Sequence, residues 1–537
     1  MSEQPKRNPY ESPALPVAGT STESAPPVPS GHDPLGDRLL KLFWWKPAAT
    51  LAEQVRRRVS VHLLPYLFFL YILAYLDRIN VQVAQSGMKL PPSQGGLDFD
   101  SKIIGFGAGL FFWGYWILEI PSTLSVAKWG ARWVFVRILI LWGLAAGLVG
   151  LIGLPVMTSM LGWIPTLPEY NFGSAWTGYF SPGYFFNQLP TNAEYQFYFF
   201  RFLLGFFEGG FFPSVIVYLS MWFRPRDRAK ALAVFMTAIP ISSTVGIPFS
   251  NLLMYIDWFG LEGWRWVYII QGIMPFLAGF ATLFFLPNNP DQAAFLRNDE
   301  REWLNGELER EHVERRDSHA QHGHFALIRD SLGMILLLTL VYFGHNVVSY
   351  GLSTFMQPLI KEVLFKDNTA MAALLTSVLY GLATVGILLN GWHSDKTGER
   401  VFHVAVPLFL LGTGVILAGL CIRYLHSPGI AVAILVLLVG ISYYSHLPAF
   451  WPIPSMFLGS TSAAAAIGFI NMFGNLGGFF GPYMFGNIVS EKVNGVEVTH
   501  YDLGLLVVGP FPIISAVIVL AVAQFRRAQP LPPITNA

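Results

Sequence analysis

Charge is scarce in this sequence. Asp, Glu, Lys and Arg make up 12% of its 537 residues and hydrophobic residues 53%, where a soluble protein has about a quarter of its residues charged. Such a chain cannot keep so large a surface in water, so lipid must be the solvent for most of it. The net charge is +1, and this absence of a basic excess argues against nucleic acid as a partner. Cysteine is nearly missing: the lone Cys421 has no second cysteine for an internal disulfide or a shared metal and reads as packing. Residues 1–58 contain no apolar run, and with it they lack both the core of a signal peptide and the means to pack. They read as a disordered cytoplasmic tail, ordered only from about Leu51 as a lead-in helix with Arg56, Arg57 and Arg58 at the headgroup level. No His-Glu-x-x-His pattern occurs, and the loop acids Asp98, Asp100 and Glu169 lack a nearby basic or nucleophilic partner, which argues against a membrane-embedded transferase. Neither a metal nor another cofactor is implied.

What is present is a series of long apolar runs. A bilayer core of about 30 Å needs about 20 apolar residues per helix, and twelve runs of that kind emerge. Six lie in 59–286 and six in 330–525, an all-α membrane protein of two pseudo-symmetric six-helix bundles. Between them, 287–329 carries Asp299-Glu300-Arg301-Glu302 and further charge, which suits a surface helix and cannot cross lipid. The first and second bundles are preceded and followed by tails, 1–58 and 526–537. With both termini inside, 25 Lys and Arg residues fall in tails and inward loops against seven at outward ends, namely Lys89, Lys102, Arg265, Lys361, Lys366, Arg423 and Lys492. That asymmetry predicts an inner-membrane, multi-pass chain with cytoplasmic termini. A long outward loop, 154–194, carries Trp163, Tyr170, Trp176, Tyr179 and Tyr184. It reads as a packed cap more readily than as a lid over an entrance, since aromatic residues suit the headgroup zone.

The two halves share a motif. Gly391-Trp-His-Ser-Asp395-Lys396-Thr-Gly398-Glu-Arg400 follows the eighth run, and Thr123-Leu-Ser-Val-Ala127-Lys128-Trp-Gly130-Ala-Arg132 follows the second. Lys, Gly and Arg align at equal spacing, as in parallel copies of one unit. The later copy resembles the signature loop of the major facilitator superfamily. In the earlier copy the acid is replaced by Ala127, which leaves Asp395, with Gly391, Lys396, Gly398 and Arg400, as the better conformational latch. Tyr75-Leu-Asp77-Arg78-Ile-Asn80, Arg201-Phe-Leu-Leu-Gly-Phe-Phe-Glu208, Gly263-Trp-Arg265-Trp, Phe450-Trp451 with Pro454, and Asn471-Met-Phe-Gly-Asn475 narrow the resemblance to the anion:cation symporter family. His393 to Arg400, and Gly130-Ala-Arg132 followed by Trp142-Gly-Leu, resemble its tartrate and sugar-acid branch.

Chemistry must lie inside the membrane. Asp77, Arg78, Arg201 and Glu208 would cost about 10 to 14 kcal/mol if ionised and unpaired at the bilayer centre, so they should face each other or water. Arg201 and Glu208 stand two helical turns apart on one face, with Gly205 between them leaving room for a helix or a ligand. A static double ion pair is one reading, though burying two such pairs is a poor source of stability. The other is a site needing both signs: arginines to hold a carboxylate, and carboxylates whose protonation releases them. With both acids ionised the four charges sum to zero; one proton leaves room for a monoanion and two for a dianion.

The resemblance implies the same division, with Asp77 and Glu208 as proton carriers, Arg78 and Arg201 as anion and coupling residues, and Tyr75 and Tyr115 as substrate tyrosines. Asn475 and Asn471 can bond a substrate hydroxyl or another helix. Glu119 reads as a gating or structural acid, and His345 and His446 as helix-to-helix hydrogen bonders or, less readily, proton carriers. The expectation is a monomeric carrier of a small organic anion coupled to protons, with sodium left open. The alternative is an uncoupled uniporter or a transporter-like receptor of the same fold.

Overall fold

The computed structural model describes residues 50–161, 192–321, 332–366, 368–456, 460–493 and 496–528. Most of the expected cap, the tail before residue 50 and the tail after 528 lie outside them. The first span, Leu51–Met88, is one helix without a break, so the expected lead-in is its first part. It starts where Thr50 Oγ1 accepts from the Glu53 amide at 3.2 Å, and the second span, Ser101–Trp129, starts where Asp100 Oδ1 accepts from Ile103 at 3.0 Å. These caps satisfy amides that have no partner within the helix.

Eleven segments among the described residues are long and apolar enough to cross a bilayer: the first span, Ser101–Val126, Ala131–Val149, Ala193–Ser220, Lys230–Leu253, Gly263–Phe285, Leu332–Phe365, Thr369–Thr397, Val401–Arg423, Pro428–Phe450 and Tyr501–Gln524. The remaining crossing, eleventh of twelve, consists of two shorter helices, Ser460–Gly474 and Gly477–Val489, joined through Asn475 and Leu476. The Asn475 amide still donates to the Asn471 carbonyl at 2.9 Å, so the backbone keeps its hydrogen bonds across the join.

Close packing of these helices depends on bare backbone. A Cβ on Gly205 of the fourth span would lie 1.8 Å from the Phe111 carbonyl oxygen, and one on Gly114 would lie 2.1 Å from that of Phe202. The space beside Gly205 is therefore taken by the second span, not by a ligand. Between the halves the same device recurs, with a Cβ on Gly105 falling 2.3 Å from the Pro482 carbonyl oxygen.

The charged linker forms the helix Asn298–Gln321, which packs on the terminal face of the first half through Arg58–Glu300 at 3.2 Å and Arg228–Glu311 at 3.1 Å. On the opposite, far face an antiparallel hairpin of β1 (Ser490–Val493) and β2 (Val496–Thr499) joins the last two spans. Nothing in the apolar pattern predicts it. It reaches across to the first half: Glu497 Oε1 accepts from the Ser101 amide at 2.8 Å, its Oε2 lies 3.2 Å from Lys89 Nζ, and Lys492 lies 3.5 Å from Asp100, a basic partner from a distant segment that the sequence does not show for that acid. Burial pushes the Glu497 carboxyl up, but Lys89 and the amide and hydroxyl of Ser101 outweigh it and hold the group below the usual carboxylate range.

Candidate functional site

A small cavity lies between the halves. Its volume is about 40 Å³, far below the several hundred Å³ of a ligand pocket, so the side chains are closed on one another. The first half contributes Tyr71, Tyr75, Arg78 and Tyr115, and the second half Tyr342, Asn346, Tyr350, Tyr444, Trp451, Asn471 and Asn475. Phe212, Met236 and Ile239 line it as well, so the wall comes from the first, second, fourth and fifth spans of one half and the seventh, tenth and eleventh of the other.

Arg78 is the only one of the four intramembrane charged residues that lines it. Its Nε and Nη2 both donate to Glu208 Oε1, at 3.1 and 2.6 Å, and its Nη1 donates to the Tyr350 hydroxyl at 3.2 Å. The guanidinium lies 4.8 Å from the centre of the Tyr75 ring, 5.2 Å from Tyr115 and 5.3 Å from Phe111, so three aromatic faces stabilise the cation. Glu208 is fully buried, and its Oε2 has no hydrogen-bond partner.

The double ion pair does not form. Asp77 accepts from the indole N–H of Trp142 and, at 3.2 Å, from Asn80 Nδ2. Arg201 sits behind the wall, donating from Nη1 to the backbone carbonyl of Asp77 at 3.3 Å, with its centre 5.5 Å from the Phe111 ring and its Nε without a partner. The structure therefore brings Arg78 and Glu208 into direct contact, and leaves Asp77 and Arg201 joined only through backbone. Helical spacing had put Arg201 and Glu208 on one face; Glu208 instead meets the arginine of the first span.

A carboxylate outside that set bridges the halves. Glu119 Oε1 accepts from Asn471 Nδ2 at 2.5 Å, while its Oε2 has no partner. Asn475 Oδ1 accepts from Asn346 at 3.4 Å. His345 and His446 are stacked edge-on with ring centres 4.2 Å apart, and His345 Nδ1 and both ring nitrogens of His446 are unpartnered. They lie beside the cavity wall, not in it. Sequence reasoning missed Tyr71, Tyr342, Asn346, Tyr350, Tyr444 and Trp451 as site residues. Asn346 and Tyr350 stand one turn apart on an apolar helix, a spacing that could have shown them, and the indole N–H of Trp451 is buried without a partner.

The signature loop lies on the terminal face. Arg400 Nη1 meets Asp395 Oδ1 at 2.7 Å and Ser394 Oγ at 2.9 Å, and Gly398 ends the eighth span at φ +70°, a left-handed conformation that suits glycine. Lys396 Nζ lies 5.1 Å from the Trp392 ring centre, and a Cβ on Gly391 would lie 3.1 Å from Pro448. Partial burial pushes the Glu399 carboxyl up, but the Phe402 and His403 amides and the His403 ring outweigh it and hold the group low.

Residues 67–482 match the Major Facilitator Superfamily. A candidate tartrate transporter of Agrobacterium vitis is 33% identical over 475 residues, covering 88% of this chain and 96% of that protein. A quinolone resistance transporter of Acinetobacter baumannii is 30% identical, covering 89% and 97%. Among solved structures, an inward-facing bacterial homologue of the human lysosomal transporter Spinster superposes with a TM-score of 0.62 at 16% identity, covering 90% of this chain and all of that one.

Proposed function

The chain belongs to the major facilitator superfamily and is a membrane transporter, and from that premise we propose that it carries a small organic anion together with protons by alternating access. The observation behind this is the sharing of Arg78. The same guanidinium serves Glu208 of its own half and Tyr350 of the other, at the wall of the closed cavity. A proton on the free Oε2 of Glu208 neutralises the acid and loosens its hold on Arg78. The guanidinium then offers its planar pair of N–H groups to a substrate carboxylate. One proton and one carboxylate enter the site together, and the local charge is unchanged. A second proton on Asp77 would match a dianion, with Arg201 supplying the remaining positive charge from behind the wall. Tyr75, Tyr115, Asn471, Asn475 and the unpartnered Trp451 N–H are the groups for substrate hydroxyls and oxygens.

Asp395, Lys396 and Arg400 would act as the latch of the terminal face, with Gly391 and Gly398 shaping the turn. The excess of Lys and Arg at that face supports a cytoplasmic side for it and the inner membrane for the chain.

A tartrate-like or sugar-acid carboxylate is the substrate class that fits the likeness to the Agrobacterium vitis protein. A second reading, an aromatic carboxylate of the quinolone kind, is favoured by the Acinetobacter baumannii relative and by the tyrosines around Arg78. Proteoliposomes loaded to give an inward proton gradient, and offered tartrate or a quinolone in turn, test both. Tartrate accumulation with one or more protons per substrate supports the proposal. Uptake that ignores the proton gradient would leave only the uniporter alternative.

A further inference from the structure

We infer that the far face carries a second anion site, a vestibule that captures a hydroxylated carboxylate before it reaches Arg78. It rests on the reading that the substrate is an organic anion, and extends it to where that anion first binds.

The vestibule measures about 330 Å³, and Lys89, Lys361, Lys366, Gln82, Gln85 and Gln357 line it. Three of the seven cations at the far ends of the spans thus converge on one hollow between the first and seventh spans. Lys89 is occupied by Glu497 at 3.2 Å. Lys361 and Lys366 make no ion pair among the described residues, and the Glu362 carboxylate accepts from the Thr499 hydroxyl. Counting the three lysines against Glu362 and Glu497, the hollow has one net positive charge and two ammonium groups open to an anion. A partly enclosed, low-dielectric hollow concentrates that field where bulk salt screens it least.

The floor adds specificity. Gln85 and Gln357 are almost wholly buried, and the Oε1 of each has no hydrogen-bond partner. Amide oxygens accept from hydroxyls and repel carboxylates, so these two, shut off from solvent while the base of the hollow is closed, would suit the hydroxyls of a hydroxy acid as it moves inward from the lysines.

The position ties the vestibule to the cavity. Arg78, Gln82, Gln85 and Lys89 recur at helical spacing on one face of the first span, as Tyr350, Thr354, Gln357 and Lys361 do on the seventh. The two faces are bonded to each other. Arg78 donates to Tyr350 at 3.2 Å and Gln85 to the Thr354 carbonyl at 2.6 Å. In the side-chain orientation that satisfies both atoms, Gln82 donates to the Ser353 carbonyl at 2.8 Å and accepts from the backbone N–H of Gln357 at 3.0 Å. This seam closes the path from the vestibule to Arg78, and its opening would pass the anion from lysines to arginine along polar side chains.

The test uses the full-length carrier with Cys421→Ser and Ser86→Cys, which puts a lone thiol in the vestibule wall. Its reaction rates with sulfonatoethyl and trimethylammonioethyl methanethiosulfonate are compared with and without Lys361→Gln and Lys366→Gln. The anionic-to-cationic rate ratio is expected to fall about tenfold on removing the lysines, and millimolar tartrate should slow labelling only where they are present. In proteoliposomes the same double variant should raise KM for tartrate several-fold with kcat unchanged. An unaltered rate ratio and no protection by tartrate would overturn the vestibule, whether or not uptake is seen. Protection without any uptake by the wild type would instead support the vestibule and remove the transport reading.

Discussion

Arg78 donates two hydrogen bonds to a single oxygen of Glu208, at 3.1 and 2.6 Å, and the other oxygen is left buried with no partner. A static ion pair would gain most from using both oxygens, because a fork-to-fork pair satisfies both groups. The lopsided arrangement leaves one oxygen ready for a proton and one arginine nitrogen on the cavity side.

Glu208→Gln should imitate the protonated carrier. Substrate counterflow is expected to persist within several-fold of wild type, while the accumulation ratio driven by a proton gradient falls to about one. Loss of both activities would mark the pair as structural, and retained accumulation would send the proton elsewhere, with His345 and His446 examined next.

Arg78→Ala removes one member of a buried pair and strands the other, which costs roughly 3 to 5 kcal/mol. Thermal unfolding in detergent should show that loss, and adding Glu208→Gln should recover most of it. Uptake should fall at least a hundredfold in both variants. Arg78→Lys should restore it only in part, since an ammonium lacks the planar fork that reaches Glu208 and Tyr350 together. Uptake recovered by the double variant would show that Arg78 matters for folding alone.

Gly205→Ala forces a methyl group to within 1.8 Å of the Phe111 carbonyl oxygen, a backbone atom that cannot swing aside. A stability loss of about 1 to 3 kcal/mol or more is expected, as for other overpacked cores. Gly306→Ala in the linker helix has nothing within 4 Å of the added carbon and should be neutral or stabilising by about 0.5 to 1 kcal/mol. Equal melting temperatures for the two variants would contradict the close crossing of the second and fourth spans.

The clasp at Glu497 gives a pH dependence with a definite sign. Its folded pKa lies below the ordinary value, about 4.3 for a glutamate. Its contribution is therefore complete above that pH and is lost as pH falls through the lower, folded value. The stability difference between wild type and Glu497→Gln should be flat from about pH 5 to 8, at roughly 1.5 to 3 kcal/mol, and should vanish in more acid solution. A difference that changes between pH 6 and 8 would assign the titration to another group.

Much of the architecture was legible in the residues alone. The need for about 20 apolar residues per crossing is a local demand, so the twelve spans, the charged linker and the four charged residues inside the membrane could be read in order. The eleventh span kept its place although its helix is interrupted at Asn475 and Leu476, because the apolar run continues through the join. Partners were another matter. Helical period tells which residues share a face, and by that rule Arg201 and Glu208 stood together; it does not tell which helix lies opposite, or at what rotation and height. Packing of separate helices decided that Glu208 meets Arg78, 130 positions away, that Arg78 also meets Tyr350, 272 positions away, and that Asp77 turns to Trp142. The far-face hairpin and its grip on Lys89 and Ser101 were likewise decided in three dimensions, since a hydrogen bond between distant segments leaves no periodic trace in either of them.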